Sequence, residues 1–450
     1  MAEYLTSVGV DVGTTTTQLI LSRIRVANRA SSFAVPDMEI VDREVVYRSA
    51  IHFTPLIRDE LVDGEAIRQI VAAEYASAGI DRKDVDTGAI IITGETSRKE
   101  NAAAVLAAIS DFAGDFVVAT AGPDLESILA AKGAGAAAYS EKTGKRVLHM
   151  DIGGGTSNLA LLDEGKVVAT GCLNVGGRLI KLDDKGVVIY RSPVLEGLTD
   201  VKVGDVLTPD KRWQLAQLLA NVLEMAAGLR PKDQSFHKLT TQGTNPIEDV
   251  QGAVLSFSGG VAQCIERETD WLAYGDLGPL LGKAIAESAL CQGEYRLGEE
   301  TIRATVIGAG CHSAQLSGST VFYENVQLPM KNLPVAILEE ASDSHSVRRA
   351  LEGLEQWGVL ALKGWEAPTY SCITALADRI AEAVGSRPCY VALQADMAKA
   401  LGNALKLRLP KGTPILCIDR VVLPRQSYLD IGAPVGPALP VVVKTLILER

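Results

Sequence analysis

Residues 150–162 read MDIGGGTSNLALL: an apolar approach, one aspartate, three consecutive glycines, two hydroxyl residues and a second apolar run. Two short apolar runs around a glycine cluster predict a strand, a tight turn and a second strand. Such a turn offers backbone N–H groups that cradle an anion. It is only half of a nucleotide site, and the other half has to come from elsewhere in the chain.

Residues 8–22, VGVDVGTTTTQLILS, supply a second copy. The two stretches superpose without a gap: Asp11 falls on Asp151, Gly13 on Gly153 and Thr16 on Thr156. Two similar halves one domain length apart, facing each other, make one cleft.

Gly13 has no side chain and permits close approach to a phosphate. Thr14, Thr15 and Thr16 offer N–H and hydroxyl donors. Gly153, Gly154 and Gly155 form the opposing backbone nest, and Thr156 is read with them as a phosphate contact. Asp11 and Asp151 stand at the strand ends. A bare carboxylate beside phosphate repels it, so the pair implies Mg²⁺ held through water. Each aspartate alone is also readable as a turn residue, and the two together, with SFSGG downstream, carry the reading. Neither a Walker A loop nor a dinucleotide fingerprint occurs.

The rest of the chain alternates strand and helix patterns, which predicts a layered α/β fold. GEAIRQIVAAEYASAG from Gly64 has helical spacing, GAIIITG at 88–94 reads as a buried strand, and FVVAT at 116–120 as another. ENAAAVLAAI predicts a small-residue helix, and DLESILAAKGAGAAA predicts a helix with Asp124 as its N-cap. A strong amphipathic helix starts at Asp210, whereas RPKDQSFHKLTTQGTN reads as a loop. AVLSFSGGVAQCI is a strand running into paired glycines, and IRATVIGAG a strand entering a glycine turn. Beyond Glu299 the pattern continues as strand, helix, helix, strand, helix, strand and a closing strand, LPVVVKTLIL.

The 450 residues exceed one ordinary core. The net charge of −11 argues against nucleic-acid and anionic-membrane partners. Seven dispersed cysteines without a CxxC pair fit isolated thiols in a reducing, cytoplasmic compartment. Five scattered histidines give no metal cluster. The N-terminus lacks a basic leader, and no apolar run is long enough to span a bilayer.

These motifs resemble the actin, Hsp70 and sugar-kinase ATPase superfamily. VGVDVGTTTT resembles its first phosphate segment, MDIGGGTSNLALL its second and FSGGVAQCI its adenosine segment. ITGETSRKEN resembles one connecting segment and the helix from Glu126 the other. The resemblance implies an α/β fold of two RNase H-like domains around a nucleotide cleft, with an additional C-terminal α/β region. The corresponding domains are 1–140, 141–298 with an inserted subdomain around 177–250, and 299–450. It implies ATP and Mg²⁺ as cofactors, and it places Ser258, Gly259 and Gly260 near the base and ribose. The Ile307–Gly310 turn is a rival for that role. Glu95 falls where the superfamily orients attacking water, so with Asp11 and Asp151 it completes a catalytic set; a helix-capping carboxylate remains the alternative. Arg98 and Lys99 are either phosphate contacts or a solvated helix start.

Across nearly the whole chain, including TGETSRKENA, AGPDLESILAAKGAGAA and YLDIGAPVGPALPVVVKTL, the sequence resembles the family of reactivating factors for ethanolamine ammonia-lyase. That resemblance implies a chaperone whose ATP-driven change of shape lets the lyase release damaged cobalamin. The lyase is then the protein client, and the setting is the cytoplasm, in association with the ethanolamine-utilization microcompartment. Self-association into a homo-oligomer is compatible with the sequence. A small-molecule kinase and an actin-like assembly protein are the alternatives within the superfamily.

Overall fold

The structure is a computed structural model, and it describes residues 3–13, 16–28, 38–58, 61–93, 105, 109, 117–120, 123–312, 314–318, 320–354, 356–421, 423 and 427–445. Thr14, Thr15, Glu95, Arg98 and Lys99 lie outside the described residues, as does most of the ENAAAVLAAI stretch.

The strand Glu3–Val12 turns back into Thr16–Asn28, as the first glycine–threonine motif predicts. The sheet order is 38–48, 16–28, 3–12, 87–92, 117–120. The first three strands are antiparallel neighbours, and the last two are added in parallel. Side chains alternate between its faces. Val8, Val10, Val12, Ile90 and Ile92 pack with Ile67, Val71 and Tyr75 of the helix Gly64–Ala78. On the opposite face, Ala89 and Ile91 meet Leu129 and Ala309.

A second sheet repeats this plan in the order 166–173, 157–163, 147–152, 254–258, 295–297. Again there are three antiparallel neighbours and two parallel additions. Leu148, Met150, Ile152, Leu159 and Leu161 share a core with the helices Pro209–Ala226 and Gly278–Glu287. The amphipathic reading of 210 onward is met by Leu215, Leu219, Val222 and Leu223, all buried, and Thr208 caps the helix start. The polar stretch after it is not all loop. Asp233 accepts N–H bonds from Ser235 and Phe236 and starts the helix Gln234–Leu239, whose Phe236 is fully buried. The capping signal was present in the sequence, hidden among charges.

Two further expectations change. Asp124 is not an N-cap: the helix is Pro123–Gly133, and Asp124 in its first turn accepts a bond from Thr170 Oγ1 at 2.6 Å. IRATVIGAG is not a strand entering a turn, because Ala304–His312 is a helix. Its glycines serve packing. A Cβ on Gly308 would stand 2.0 Å from the Leu129 carbonyl oxygen, and one on Gly133 1.9 Å from that of Ala304. A Cβ on Gly9 would stand 2.4 Å from the Val306 oxygen. The helices 123–133 and 304–312 therefore touch backbone to backbone, and the second also lies against the 3–12 strand.

A third, mixed sheet of eight strands uses the chain from 314 to 445. Strands 330–338, 359–362, 389–393 and 415–418 are parallel neighbours linked by the helices Ser344–Glu352, Tyr370–Val384 and Ala398–Lys406. The strand 359–362 escaped the sequence reading because it is a bare four-residue apolar run. Val442 of this sheet, with Val435 from the turn before its strand, packs with Leu5, Ile24 and Val26 of the first. Of the seven cysteines, all free, Cys372 is exposed and Cys291 half-buried, so the thiols are not uniformly core groups. Among the described residues no helix is long and apolar enough to cross a membrane.

The glycine contact yields a test. Gly308→Ala forces a methyl group onto a backbone oxygen and should destabilise the protein by about 1–3 kcal/mol. Gly293→Ala, at a site with open space around it, should leave stability nearly unchanged. Urea unfolding midpoints of the two variants check the contrast.

Candidate functional site

The two hairpins close in the same way. Gly13 N–H donates to the Thr16 carbonyl at 2.9 Å, and Gly153 N–H donates to the Thr156 carbonyl at 2.9 Å. Asp11 pairs across its hairpin with Gln18, and Asp151 with Asn158. The sequence equivalence is thus an equivalence of backbone hydrogen bonds.

Both turns open on one cleft with a cavity volume of about 340 Å³. Asp11, Gly13, Thr16, Asp151, Gly153, Gly154, Gly155, Thr156, Gly259 and Gly260 all line it. Thr93, Glu126, Arg178, Asp276 and Thr305 join them. Ser258 does not. It is fully buried, and its hydroxyl points beneath the cleft floor to Asp151.

In each half a hydroxyl from the neighbouring parallel strand holds the aspartate. Thr93 Oγ1 donates to Asp11 Oδ1 at 2.8 Å. Ser258 Oγ donates to Asp151 Oδ1, and Thr305 Oγ1 donates to Asp151 Oδ2 at 3.2 Å. Thr305 comes from the 304–312 helix, so the same helix that lies against the first sheet also grips the carboxylate of the second.

Behind Ser258 lies a polar chain. His149 Nε2 is 2.9 Å from Ser258 Oγ, and His149 Nδ1 is 3.0 Å from Ser256 Oγ. Ser258 spends its only proton on Asp151, so it accepts from Nε2–H, and Nδ1 accepts from Ser256. Complete burial pushes the imidazole down to about 3, which keeps it neutral in this relay.

Burial dominates the electrostatics of the carboxylates. Asp11 is pushed up to about 7, mainly by desolvation; the Thr93 hydrogen bond opposes the rise and the nearby Asp151 charge adds to it. Asp151 is also raised by burial, against the hydrogen bonds from Ser258 and Thr305. Two carboxylates that resist ionisation side by side fit a cation between or beside them. Among the described residues no group of three or more metal-ligand side chains occurs. A divalent ion here would take these two carboxylates and fill its shell from water and ligand oxygens, the habit of Mg²⁺.

The glycines act at two depths. Gly259 has φ +89°, and a Cβ there would stand 2.3 Å from the Ile152 carbonyl oxygen. Only glycine brings this turn against the second hairpin. Gly260 faces open space in the cleft. Gly177 N–H donates to the Gly153 carbonyl at 3.1 Å and Arg178 N–H to that of Gly154, so the 176–178 turn braces the 153–155 nest.

The sequence reading missed Thr93, His149, Arg178, Asp276 and Thr305. Thr93 sits within the quoted GAIIITG stretch, and its place at a parallel strand end was the available signal. The others reach the site only through packing.

The sequence matches the family described as Ethanolamine utilisation protein EutA over residues 3–449. It is 41% identical to the ethanolamine ammonia-lyase reactivase EutA of Salmonella typhimurium, with 98% of each chain covered. It is 39% identical to the Escherichia coli protein of the same name, with 98% of each covered. Among solved structures, the ethanolamine utilization protein EutJ of Carboxydothermus hydrogenoformans aligns at 18% identity with a TM-score of 0.33, covering 68% of this chain and 88% of its own. The chain belongs to the EutA family.

The raised Asp11 makes a pH prediction. Below pH about 4 the carboxyl is protonated whether folded or unfolded, and its contribution to stability is complete. As pH rises to about 7 the unfolded chain releases the proton while the folded one keeps it, so stability is lost across that window and levels off above it. Asp11→Asn removes this loss. Its melting temperature should gain on the wild type from pH 4 to 7 in Mg²⁺-free buffer and then hold a constant difference, read by scanning calorimetry. The His149 linkage, which lowers stability as pH falls from 6.5 toward about 3, is common to both proteins and cancels.

Proposed function

We propose that this EutA-family chain is an ATP-dependent reactivating factor for ethanolamine ammonia-lyase. Near-complete alignment with two reactivases supports the client. The observation that carries the nucleotide part is the pair of hydrogen-bond-matched hairpins opening on one cleft, each with an aspartate at its strand end, Asp151 buried and Asp11 half-buried. The two sheets of shared strand order are read as paired RNase H-like halves of an actin-type ATPase.

In this reading ATP lies in the cleft with its phosphates against the backbone of Gly13, Gly153, Gly154 and Gly155. Thr16 and Thr156 add polar contacts from the two turns. Gly259 and Gly260 leave room for the adenosine end. Asp11 and Asp151 hold Mg²⁺ through water, and a bound cation there offsets the repulsion between carboxylates and phosphates. Glu95 is the candidate for orienting water, in the role the superfamily resemblance gives it.

Binding performs work only if nucleotide prefers one arrangement of the two halves. The 304–312 helix is placed to carry that preference. It meets Gly9 of the first sheet and, through Thr305, Asp151 of the second. A shift of one half against the other then alters the surface offered to the lyase, which lets go of damaged cobalamin and accepts intact adenosylcobalamin. The setting is cytoplasmic, in association with the ethanolamine-utilization microcompartment.

The deciding experiment uses lyase blocked with cyanocobalamin. Purified chain should restore activity only when ATP, Mg²⁺ and free adenosylcobalamin are all present. Asp151→Asn should reduce the rate of restoration at least tenfold while the variant stays folded by circular dichroism, in line with the usual cost of losing a group that positions phosphates or metal. Restoration that proceeds equally without nucleotide removes ATP from the function. Absence of any restoration removes the lyase as client.

A further inference from the structure

We infer that Arg178 is a phosphate-binding residue of the cleft, aimed by Asp276 at the polyphosphate of a nucleoside triphosphate. The inference rests on the nucleotide reading above and extends it to a side chain outside both glycine hairpins.

The charge of the cleft poses the problem. Asp11, Asp151, Glu126 and Asp276 line it, and Arg178 is the basic side chain among its described lining residues. A polyphosphate entering this cavity meets four carboxyl groups. A divalent cation at Asp11 and Asp151 answers part of that charge, and a fixed guanidinium answers more.

Arg178 is held by one edge only. Its Nε donates to Asp276 Oδ2 at 3.2 Å. Asp276 is itself fixed: the Gly278 N–H donates to its Oδ1 at 2.7 Å, and its side chain is 8% exposed. The Arg178 side chain is 22% exposed, and its two terminal Nη groups have no hydrogen-bond partner among the described residues. A guanidinium carries five N–H donors. Here one is spent on aiming the group, and the remaining four belong to a head that lines the cavity. A tightly anchored base of this kind loses little rotamer freedom when it meets a ligand.

The backbone places the residue beside the phosphate nest. Arg178 N–H bonds the Gly154 carbonyl, and Gly177 N–H bonds that of Gly153. A Cβ on Gly176 would stand 2.3 Å from the Gly154 oxygen, so the 176–178 turn lies directly against the nest. The turn therefore sets the position of the nest and of the guanidinium together. Planar, forked donors suit the oxygen pair of a phosphate rather than the hydroxyls of a ribose.

The test compares Mg·ATP with adenosine, by calorimetry and by displacement titration at low affinity. Because loss of Arg178 alone would strand the buried Asp276 carboxylate, the variant is the double substitution Arg178→Gln/Asp276→Asn, with its fold checked by melting. The wild type should bind Mg·ATP more tightly than adenosine. The double variant should lose about tenfold or more of that preference, the effect of removing a charge-assisted bond to phosphate. Its affinity for adenosine should change less than twofold. An unchanged preference overturns the inference, and so does an equal loss for both ligands, which would make the pair a purely structural one. If the wild type binds neither ligand, the nucleotide reading itself fails, a result distinct from both.

Discussion

Two carboxylates at the ends of equivalent strands, Asp151 buried and Asp11 half-buried, are the constraint on which the rest of the cleft depends. Desolvation raises the cost of ionising both, and the Asp151 charge adds to that cost at Asp11. Neither can stay charged in a folded protein without help. The surrounding structure supplies that help asymmetrically. Among the described residues Asp11 is given one hydroxyl, from Thr93, whereas Asp151 is given two, from Ser258 and Thr305, with a neutral imidazole relay behind the first. Arg178 is the basic side chain among the described residues that line the cavity beside them.

The scaffold around this pair is built by close backbone approach rather than by large side chains. Gly259 seats its turn on Ile152, Gly176 seats the 176–178 turn on the nest, and Gly133, Gly308 and Gly9 let two helices and a strand meet without intervening side chains. Such contacts are stiff, because no side chain can rotate to absorb a displacement. The helix 304–312 thus links the cleft, through Thr305, to the first sheet, against which Val435 and Val442 of the C-terminal region pack. Among the described residues none of the C-terminal sheet lines the cavity.

Much of the local structure was legible because its cause is local. The glycine–threonine turns, the Val8–Val10–Val12 alternation and the Leu215–Leu219–Leu223 helical stripe are all short-range patterns. Where the pattern was short or masked, the reading failed. ATVIGAG looked like a strand entering a turn because its glycines suggest a loop, yet glycine in a helix is tolerated where another backbone must come within contact. The run VLAL at 359–362 was too brief to separate from a loop without knowing that its neighbours are parallel strands. Asp233 was overlooked as a cap because charges surround it.

By itself, then, the sequence determined the two hairpins, their equivalence, the aspartate at the end of each and the affiliation carried by motifs along the whole chain. These depend on residue type and spacing, which a linear string records. The tertiary structure decided what holds each aspartate. Thr93 is 82 positions from Asp11, Ser258 is 107 from Asp151, and Thr305 is 154 from Asp151. It also decided that Ser258 is fully buried with its hydroxyl on Asp151, and that Arg178 and Asp276 pair beside the glycine turn 153–155. Hydrogen bonds between residues so far apart are set by sheet register and helix packing, and no local spacing in the chain encodes them.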